Sequence, residues 1–327
     1  MKKKDIVVIG GGTGTFVALS GLKNHNANLS AIISMADSGG STGRLRDQLG
    51  VLPPGDLRQA LVALSRSEQI WRDLFTYRFD NGDLEGHNFG NIFLSTLEKT
   101  TGSLEKSIAL ATKLLDAKGQ VIPVTFDIIE LCVQLQDGAF VIGETHIDEG
   151  INLKNRAKIK TAFLQPKPTV NKKAIKVIEN ADLIVLGPGD LYTSIIPNLL
   201  VKNVSYAIKK SKAKKVYVLN LMTKLGQTTN YTAQDHITDL EKYLGSGVLD
   251  FILVNNAKVS KESSLFYKKR GEKVVKDNLQ NLTHFKIIRA DLLSDNKIVK
   301  INGDKLIRSF IRHSSDKLAT QLFNLLD

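Results

Sequence analysis

The residues best suited to bind a ligand lie in five short segments rich in glycine, hydroxyl, amide and carboxylate groups. The first, GGGTGT at positions 10–15, follows a predicted strand and opens a predicted helix. Glycine lets the backbone approach a ligand closely, and a helix N-terminus offers unpaired N–H groups to a phosphate. The segment predicts a phosphate site, although the last position of a GxGxxG pattern is not glycine; a tight turn without a ligand is the alternative. Its candidates are Gly11, Gly12, Thr13, Gly14 and Thr15.

The second segment, ADSGGSTGRLR at positions 36–46, combines a carboxylate with glycines, hydroxyls and an arginine. This mixture suits an anion or a metal-bound phosphate. Asp37 also stands where the ribose-binding carboxylate of a dinucleotide site would fall. An ion pair between Asp37 and Arg44 that stabilises a mobile loop is the alternative. The candidates are Asp37, Ser38, Gly39, Gly40, Thr42 and Arg44.

Three further segments add polar groups. PPGDLR at 53–58 places Asp56 where it is expected to cap a helix over 57–65. GHNFGN at 86–91 offers a histidine and two amides to a sugar or a nucleobase. The histidine is either a general acid/base or a structural residue. GPGDLYTS at 187–194 predicts a second phosphate site, with helix capping as the alternative. The candidates, with those that follow two later strands, are His87, Asn88, Asn91, Gly187, Gly189, Asp190, Tyr192, Thr193, Ser194, Asn220, Thr223 and Asn255.

Short apolar, β-branched runs alternate with helical patterns, which is typical of a parallel sheet with crossover helices. The predicted strands cover 5–9, 29–35, 182–186, 215–221, 250–254 and 284–288, and a last helix covers 313–326. Ligands of such α/β sheets lie beyond the carboxyl ends of the strands. The polar segments following the first two strands and 182–186 fall there. An Asp-Gly turn at 137–138 predicts an antiparallel hairpin insertion spanning about 121–149.

Composition excludes several classes of protein. The chain has 327 residues, 42% of them hydrophobic, which is ordinary for a globular protein. It lacks the run of about 18 apolar residues that a membrane span needs, and its one cysteine, Cys132, excludes an internal disulfide. The net charge of +12 comes largely from lysines at 154–176, 202–215 and 268–276. Without interleaved aromatic residues, these stretches predict a solvated surface and no nucleic-acid partner. We expect a cytoplasmic protein.

Five motifs together resemble the signature of the gluconeogenesis factor family, within the CofD-like superfamily named for 2-phospho-L-lactate transferase. They are IGGGTGT at 9–15, MADSGGSTGRLR at 35–46, LPPGDLRQAL at 52–61, GHNFGN at 86–91 and LGPGDLYTSIIPNLLV at 186–201. The resemblance covers nearly the whole chain. It implies a Rossmann-like three-layer α/β/α fold, a single domain over 1–327 and a nucleotide-type ligand at the glycine-rich edge.

The resemblance also frames the functional hypotheses. The gluconeogenesis factor branch is associated with UDP-sugar binding, cell shape and envelope synthesis, which favours a regulatory protein that binds a nucleotide sugar and a cell-wall or carbon-metabolism protein. Transferase relatives move a phospholactyl group from a nucleotide-activated donor to a deazaflavin alcohol with Mg²⁺. This alternative assigns Mg²⁺ to Asp37 and Asp190. An NAD-binding oxidoreductase is a second alternative. The oligomeric state stays open, and a homo-oligomer is compatible with the sequence.

The C-terminal part adds two candidates for the nucleotide-sugar end of the pocket. Tyr267 is expected to offer a flat face to a uracil or another base. Arg312 precedes the last helix, whose predicted N-cap is Ser314 or Ser315. An arginine beside a helix N-terminus is suited to a pyrophosphate.

Overall fold

A parallel sheet of seven strands forms the centre of the computed structural model, which describes residues 3–150, 153–280, 284–295 and 311–326. The strand order is β10-β9-β8-β7-β1-β2-β3, and every neighbouring pair is parallel. The central strands are continuous apolar runs because both faces of a parallel sheet are covered by helices. The strands are β1 (Lys4–Gly10), β2 (Ala27–Ile33), β3 (Gln120–Pro123), β7 (Leu183–Leu186), β8 (Lys214–Val218), β9 (Phe251–Asn255) and β10 (Lys286–Ala290).

Helices cover both faces of this sheet. One group is formed by α1, which packs on α3 and α13; in another, α10 packs on α8, α9 and α11. The α/β fold with a mainly parallel sheet is confirmed. The helices are α1 (Gly12–Leu22), α2 (Gly40–Leu49), α3 (Gly55–Leu64), α4 (Gln69–Thr76), α5 (Phe89–Thr101), α6 (Leu104–Leu114), α7 (Glu144–Glu149), α8 (Lys172–Glu179), α9 (Ile196–Leu200), α10 (Val204–Lys210), α11 (Ala233–Leu244), α12 (Lys261–Lys269) and α13 (Ser315–Asn324).

A second, antiparallel sheet contains the predicted hairpin, with different limits. It has the order β5-β4-β6, with β4 at Glu130–Leu135, β5 at Phe140–Ile142 and β6 at Ile159–Gln165. The expected start of the insertion near residue 121 is wrong, because β3 pairs in parallel with β2 and belongs to the main sheet. The antiparallel unit instead begins with β4 and extends through β6, the longer partner of β4.

The chain leaves β1 toward β2 on one side of the sheet and leaves β7 toward β8 on the other. Crossovers between parallel strands are right-handed, so the connections after β1 and β7 diverge to opposite faces. The divergence leaves a crevice at the carboxyl ends of β1 and β7, the usual ligand site of an open α/β sheet. No helix in the described part of the chain is long and apolar enough to cross a membrane.

Candidate functional site

The two glycine segments meet in this crevice. Gly14 lies against the turn after β7: a Cβ at Gly14 would lie only 2.5 Å from the carbonyl carbon of Pro188 and 2.9 Å from the nitrogen of Gly189. From the other side, a Cβ at Gly189 would lie 3.6 Å from the carbonyl oxygen of Gly11 and 3.2 Å from Cβ of Ser194. The glycines are therefore needed for two backbone segments to touch, and Gly11 has no side chain that could cap α1.

Four helices that begin around the crevice lack a side-chain cap. The N-cap residues are Gly11 for α1, Gly39 for α2, Pro54 for α3 and Gly143 for α7, and none of them caps its helix with a side-chain hydrogen bond. Of the other helices, α5, α6, α8, α11, α12 and α13 each have a side-chain cap, whereas α4, α9 and α10 do not. Uncapped N-termini offer N–H groups and a positive dipole end to an anion.

Carboxylates from neighbouring segments occupy two of these positions. The N–H of Gly12, in the first turn of α1, donates to the Asp56 carboxylate. The N–H of Gly39 donates to Asp37 Oδ1 at 2.9 Å, and Thr42 donates to the same carboxylate. Asp56 thus caps α1 across the crevice, rather than capping its own helix as predicted. These contacts identify places where negatively charged oxygen is stabilised.

A third carboxylate reaches the crevice from the antiparallel unit. Glu144 begins α7, and its Oε2 accepts from the N–H of Ser38 at 3.5 Å. The hydroxyls of Ser38 and Thr145 lie 3.0 Å apart, so α7 is fastened to the segment after β2. The insertion therefore contributes to the site instead of standing beside the sheet.

Burial raises the pKa of all three carboxylates, and neighbouring negative charges add to the effect at Asp56 and Glu144. Burial raises the pKa of Asp56 to about 7, with the charge of Asp37 adding to the effect. Burial raises the pKa of Glu144 to about 9, helped by the charges of Asp37, Asp148 and Asp56. Burial also raises the pKa of Asp37, against the opposing effect of its hydrogen bonds to Gly39 and Thr42 and of the charges of nearby arginines. A bound cation would stabilise these carboxylates, because it would neutralise their mutual repulsion.

Lys224 balances the charge on the other side of the crevice. Its Nζ lies 3.0 Å from an oxygen of Asp148 and 3.9 Å from Oδ2 of Asp190. Gln227 Nε2 donates to Asp148 at 2.6 Å. Burial raises the pKa of Asp190 to about 6 even though the charge of Lys224 lowers it. The pair Asp148–Lys224 joins α7 to the segment after β8.

A buried polar layer supports α2 from behind. Predicted as a loop, the segment is a helix from Gly40 onward. Ser41 Oγ lies 3.2 Å from His87 Nδ1, and Asn88 caps α5 by accepting from the N–H of Asn91. Burial lowers the pKa of His87, with the charges of Arg44 and Arg78 contributing. These side chains hold helices together, and Arg44 donates to the carbonyl oxygen of Glu85 rather than pairing locally with Asp37.

Several predicted residues serve the framework. Tyr192 is fully buried, and its hydroxyl donates to Asp239 Oδ2 at 2.6 Å. Asn220 donates to the carbonyl oxygen of Gly189 at 2.8 Å, which holds the turn after β7. Thr223 Oγ1 accepts from the N–H of Lys273. Thr193 is buried, and its Oγ1 lies 3.5 Å from Gln227 Nε2.

The C-terminal candidates lie beside each other. Tyr267 is 4% exposed, so its ring is covered rather than open to a base. Its hydroxyl accepts from the N–H of Ile311, the residue before Arg312. Asn255 accepts from the N–H of Leu292 at 3.0 Å and joins the ends of β9 and β10. Ser314 is the N-cap of α13, so the first of the two predicted caps is correct.

The Tyr192 contact gives a testable expectation. Asp239 is 5% exposed and accepts from the hydroxyls of both Tyr192 and Tyr231 while pairing with Lys242. Asp239→Ala leaves two buried hydroxyls without their acceptor, which we expect to cost about 3–5 kcal/mol of unfolding free energy. Urea unfolding followed by circular dichroism measures this loss. Asp235→Ala, which removes the capping carboxylate at the start of the same helix, is expected to cost only about 1 kcal/mol. Equal losses would contradict the role given to Asp239.

Sequence reasoning missed Glu144, Asp148, Lys224 and Gln227 as site residues. They come from α7 and from the segment after β8, and only the packing of the antiparallel unit on the crevice brings them together. A usable signal was present for α7, since Glu144 directly follows a glycine at the end of β5 with φ +91°. Charge patterning alone did not separate Lys224 from the many other lysines.

Comparisons with known proteins agree with this architecture. The family model described as 2-phospho-L-lactate transferase CofD matches residues 6–293. The protein is therefore a CofD-like α/β protein.

Among its relatives are the putative gluconeogenesis factor of Thermotoga maritima, 42% identical with 96% of each chain covered, and the gluconeogenesis factor of Bacillus subtilis, 39% identical with 99% of each covered. A crystal structure of a UPF0052 family member from Bacillus halodurans has a TM-score of 0.90 and 38% identity, with 99% of each chain covered. The chain belongs to the gluconeogenesis factor family, as the five motifs predicted.

Proposed function

We propose that the protein binds a nucleotide sugar, of the UDP-sugar type, in the crevice between β1 and β7, and that it acts as a regulatory protein in gluconeogenic growth, cell shape and cell-wall synthesis. The observation that carries the binding proposal is the convergence on one crevice of the N-termini of α1, α2, α3 and α7, none of which is capped by the side chain of its own N-cap residue. A diphosphate carries several anionic oxygens, and each N-terminus stabilises one such group. The regulatory role rests on the family association.

Mg²⁺ fits this proposal as a companion of the ligand. Within the described residues, no group of three or more histidine, cysteine, aspartate or glutamate side chains is arranged to hold a metal ion. Mg²⁺ commonly uses one or two carboxylates and completes its shell with phosphate oxygens and water. Asp37 and Asp56 supply two such carboxylates, since a Cβ at Gly55 would lie 2.6 Å from Asp37 Oδ2. Asp190, the partner first expected for Asp37, lies close to Lys224 instead.

When bound, Mg²⁺ would screen the charge between the carboxylates and the diphosphate. The chain's own groups have separate parts in this proposal. In the first turns of α1 and α2, the N–H groups other than those of Gly12 and Gly39, which donate to Asp56 and Asp37, bind phosphate oxygens. Lys224 supplies a compact positive charge at the far wall. Ser194, whose Oγ would lie 3.9 Å from a Cβ at Gly12, adds a hydroxyl at the same place.

Asp37→Ala tests the site without a large change in the fold. The substitution removes the acceptor of hydrogen bonds from Gly39 and Thr42, but also a carboxylate that repels its neighbours. Because these two effects oppose each other, the melting temperature should change little. Loss of a charge-assisted contact costs about 1.5–3 kcal/mol, which is roughly tenfold or more in Kd. Calorimetric titration with UDP-N-acetylglucosamine and Mg²⁺ measures the change.

The matched control is Asp47→Ala, which removes a 66% exposed carboxylate from α2, the helix that follows Asp37 in the chain. The control should bind like the wild type. If Asp37→Ala lowers the melting temperature by many degrees and leaves Kd unchanged, then Asp37 is structural.

The transferase alternative rests on the match to the CofD family model. We expect no phospholactyl transfer when the purified protein is incubated with the nucleotide-activated donor, the deazaflavin alcohol and Mg²⁺. An authentic transferase run in parallel shows that the assay works. Detection of the phospholactyl product by mass spectrometry would replace the binding role with the enzymatic one.

A further inference from the structure

A surface of the helical layer carries an unusual density of lysine. On α8, Lys172, Lys173 and Lys176 are exposed; Lys209 and Lys210 at the end of α10 are also exposed, as is Lys212 just after it. We call these six residues the lysine face. These lysines make up much of the excess positive charge, and none of them has a role in the proposed ligand site.

The six lysines point outward from one layer of helices. Ala174 and Ile178 on α8 and Ala207 and Ile208 on α10 are buried. The two helices pack on each other, and Ser211 Oγ donates to the carbonyl oxygen of Ile178 at 2.9 Å. Two adjacent helices that bury their inner stripes in the same layer must present their outer stripes in the same direction. The lysines therefore form one continuous surface.

Few acids offset this charge. Glu179 is the only exposed acidic residue between positions 172 and 212, a stretch that the structure describes in full. One lysine of the face, Lys173, makes an ion pair with Glu105, and both partners are more than half exposed. Such an exposed pair is weak and easily exchanged.

The chemistry of the face points away from nucleic acid. No arginine occurs between positions 172 and 212, although arginine is the residue that binds phosphate groups in a defined, bidentate geometry. Tyr206 is 64% exposed, with Lys210 Nζ 5.8 Å from its ring centroid, and it is the one exposed aromatic residue in this stretch. Single-stranded nucleic acid requires several aromatic platforms. Lysine charges together with an interfacial tyrosine instead match an anionic lipid headgroup layer.

We propose that the lysine face docks on the surface of an anionic phospholipid bilayer. Attraction between basic side chains and anionic lipids needs no defined contact geometry and adds up over the lysines within a Debye length of the surface. The face belongs to the helical layer that covers the sheet, whereas the crevice lies at the ends of the strands, so docking leaves the crevice open. The protein then lies on the bilayer without crossing it.

Co-sedimentation with vesicles tests this docking. Wild type should sediment at low salt with vesicles of equal phosphatidylcholine and phosphatidylglycerol, but not with phosphatidylcholine alone. The binding should disappear near ~1 M salt, where the Debye length is ~3 Å. Replacing Lys172, Lys176, Lys209 and Lys210 by Gln should lower the partition coefficient by about two orders of magnitude or more, given about fivefold per lysine near the surface.

A control variant with the same loss of charge makes the test specific. Lys154, Lys261, Lys268 and Lys269 are exposed elsewhere, and replacing them by Gln should leave vesicle binding near that of the wild type. Circular dichroism verifies that both variants fold. Equal loss in both variants would show an effect of net charge only and would overturn the proposal. The proposal would also be overturned if the wild-type protein did not bind anionic vesicles, whether or not it bound an RNA oligomer or polyglutamate.

Discussion

Replacing Gly14 by alanine is expected to destabilise the protein by about 1–3 kcal/mol and to abolish ligand binding in the crevice. Gly14 lies inside α1, where alanine is the better helix former by about 1 kcal/mol. Helix propensity alone therefore predicts that Gly14→Ala stabilises the protein. The new Cβ would overlap the turn after β7, at 2.5 Å from the carbonyl carbon of Pro188, and backbone there cannot move aside cheaply. The two segments that line the crevice would be forced apart.

Urea unfolding and calorimetric titration measure the two effects of this substitution. Gly39→Ala is the matched control, because a Cβ at that position meets only ordinary van der Waals neighbours, the nearest at 3.5 Å. It should fold with nearly normal stability. A stabilised Gly14→Ala protein that still binds its ligand would show that the close approach of the two glycine segments is not required.

Glu144→Gln is expected to stabilise the protein above neutral pH and to have little effect near pH 5. In the folded protein the pKa of Glu144 is raised to about 9, whereas in the unfolded chain it is near its ordinary value of about 4.3. Between these two values the unfolded chain has released the proton and the folded protein retains it. Stability contributed by this group is thus full below the unfolded pKa and falls as pH rises toward 9. Glutamine removes that loss.

Melting temperatures from pH 5 to pH 9 measure this effect. The difference in melting temperature between Glu144→Gln and wild type should grow with pH to several degrees or more, since each pKa unit is about 1.4 kcal/mol and about 1 kcal/mol corresponds to ~2–4 °C in a domain of 150–250 residues. Mg²⁺ should narrow the difference at pH 8 by neutralising the carboxylates around Asp37. Glu149→Gln, which removes an exposed charge from the same helix, should follow the wild type at every pH. A constant difference across the pH range would contradict the raised pKa.

The fold was predictable because its signals are local. Each predicted strand of the parallel sheet corresponds to an observed one with shifts of a few residues, as for 182–186 against Leu183–Leu186. Continuous apolar runs are strong signals for buried strands. The helix from Gly40 was missed because its first turn is glycine, serine and threonine, which favour loops in isolation. In the folded protein, packing against α5 stabilises this helix.

The site was predictable only in part, for a physical reason. The glycine segments after β1 and β7 carry their own sequence signal, since both must turn sharply next to a strand. Lys224 carries no such signal, and the only one at Glu144 is the preceding glycine, because the role of both residues depends on how the antiparallel unit packs on the crevice. Asp56 was noticed for its helix, but its actual partner is Gly12, 44 positions away in the chain. Sequence patterns report local structure, whereas the electrostatics of a site depend on distant segments.

The most direct test of the central claim is an NMR titration of protein labelled with ¹⁵N only at its 25 glycines. UDP-N-acetylglucosamine is added with Mg²⁺, and each amide signal is followed. The proposed site predicts that the largest shifts occur at Gly11, Gly12 and Gly189, which line the crevice. Gly82 and Gly102, at remote turns with open space around them, should stay unchanged and act as internal controls. Saturable binding that moves only glycines outside the crevice, or no binding at all, would contradict the proposal.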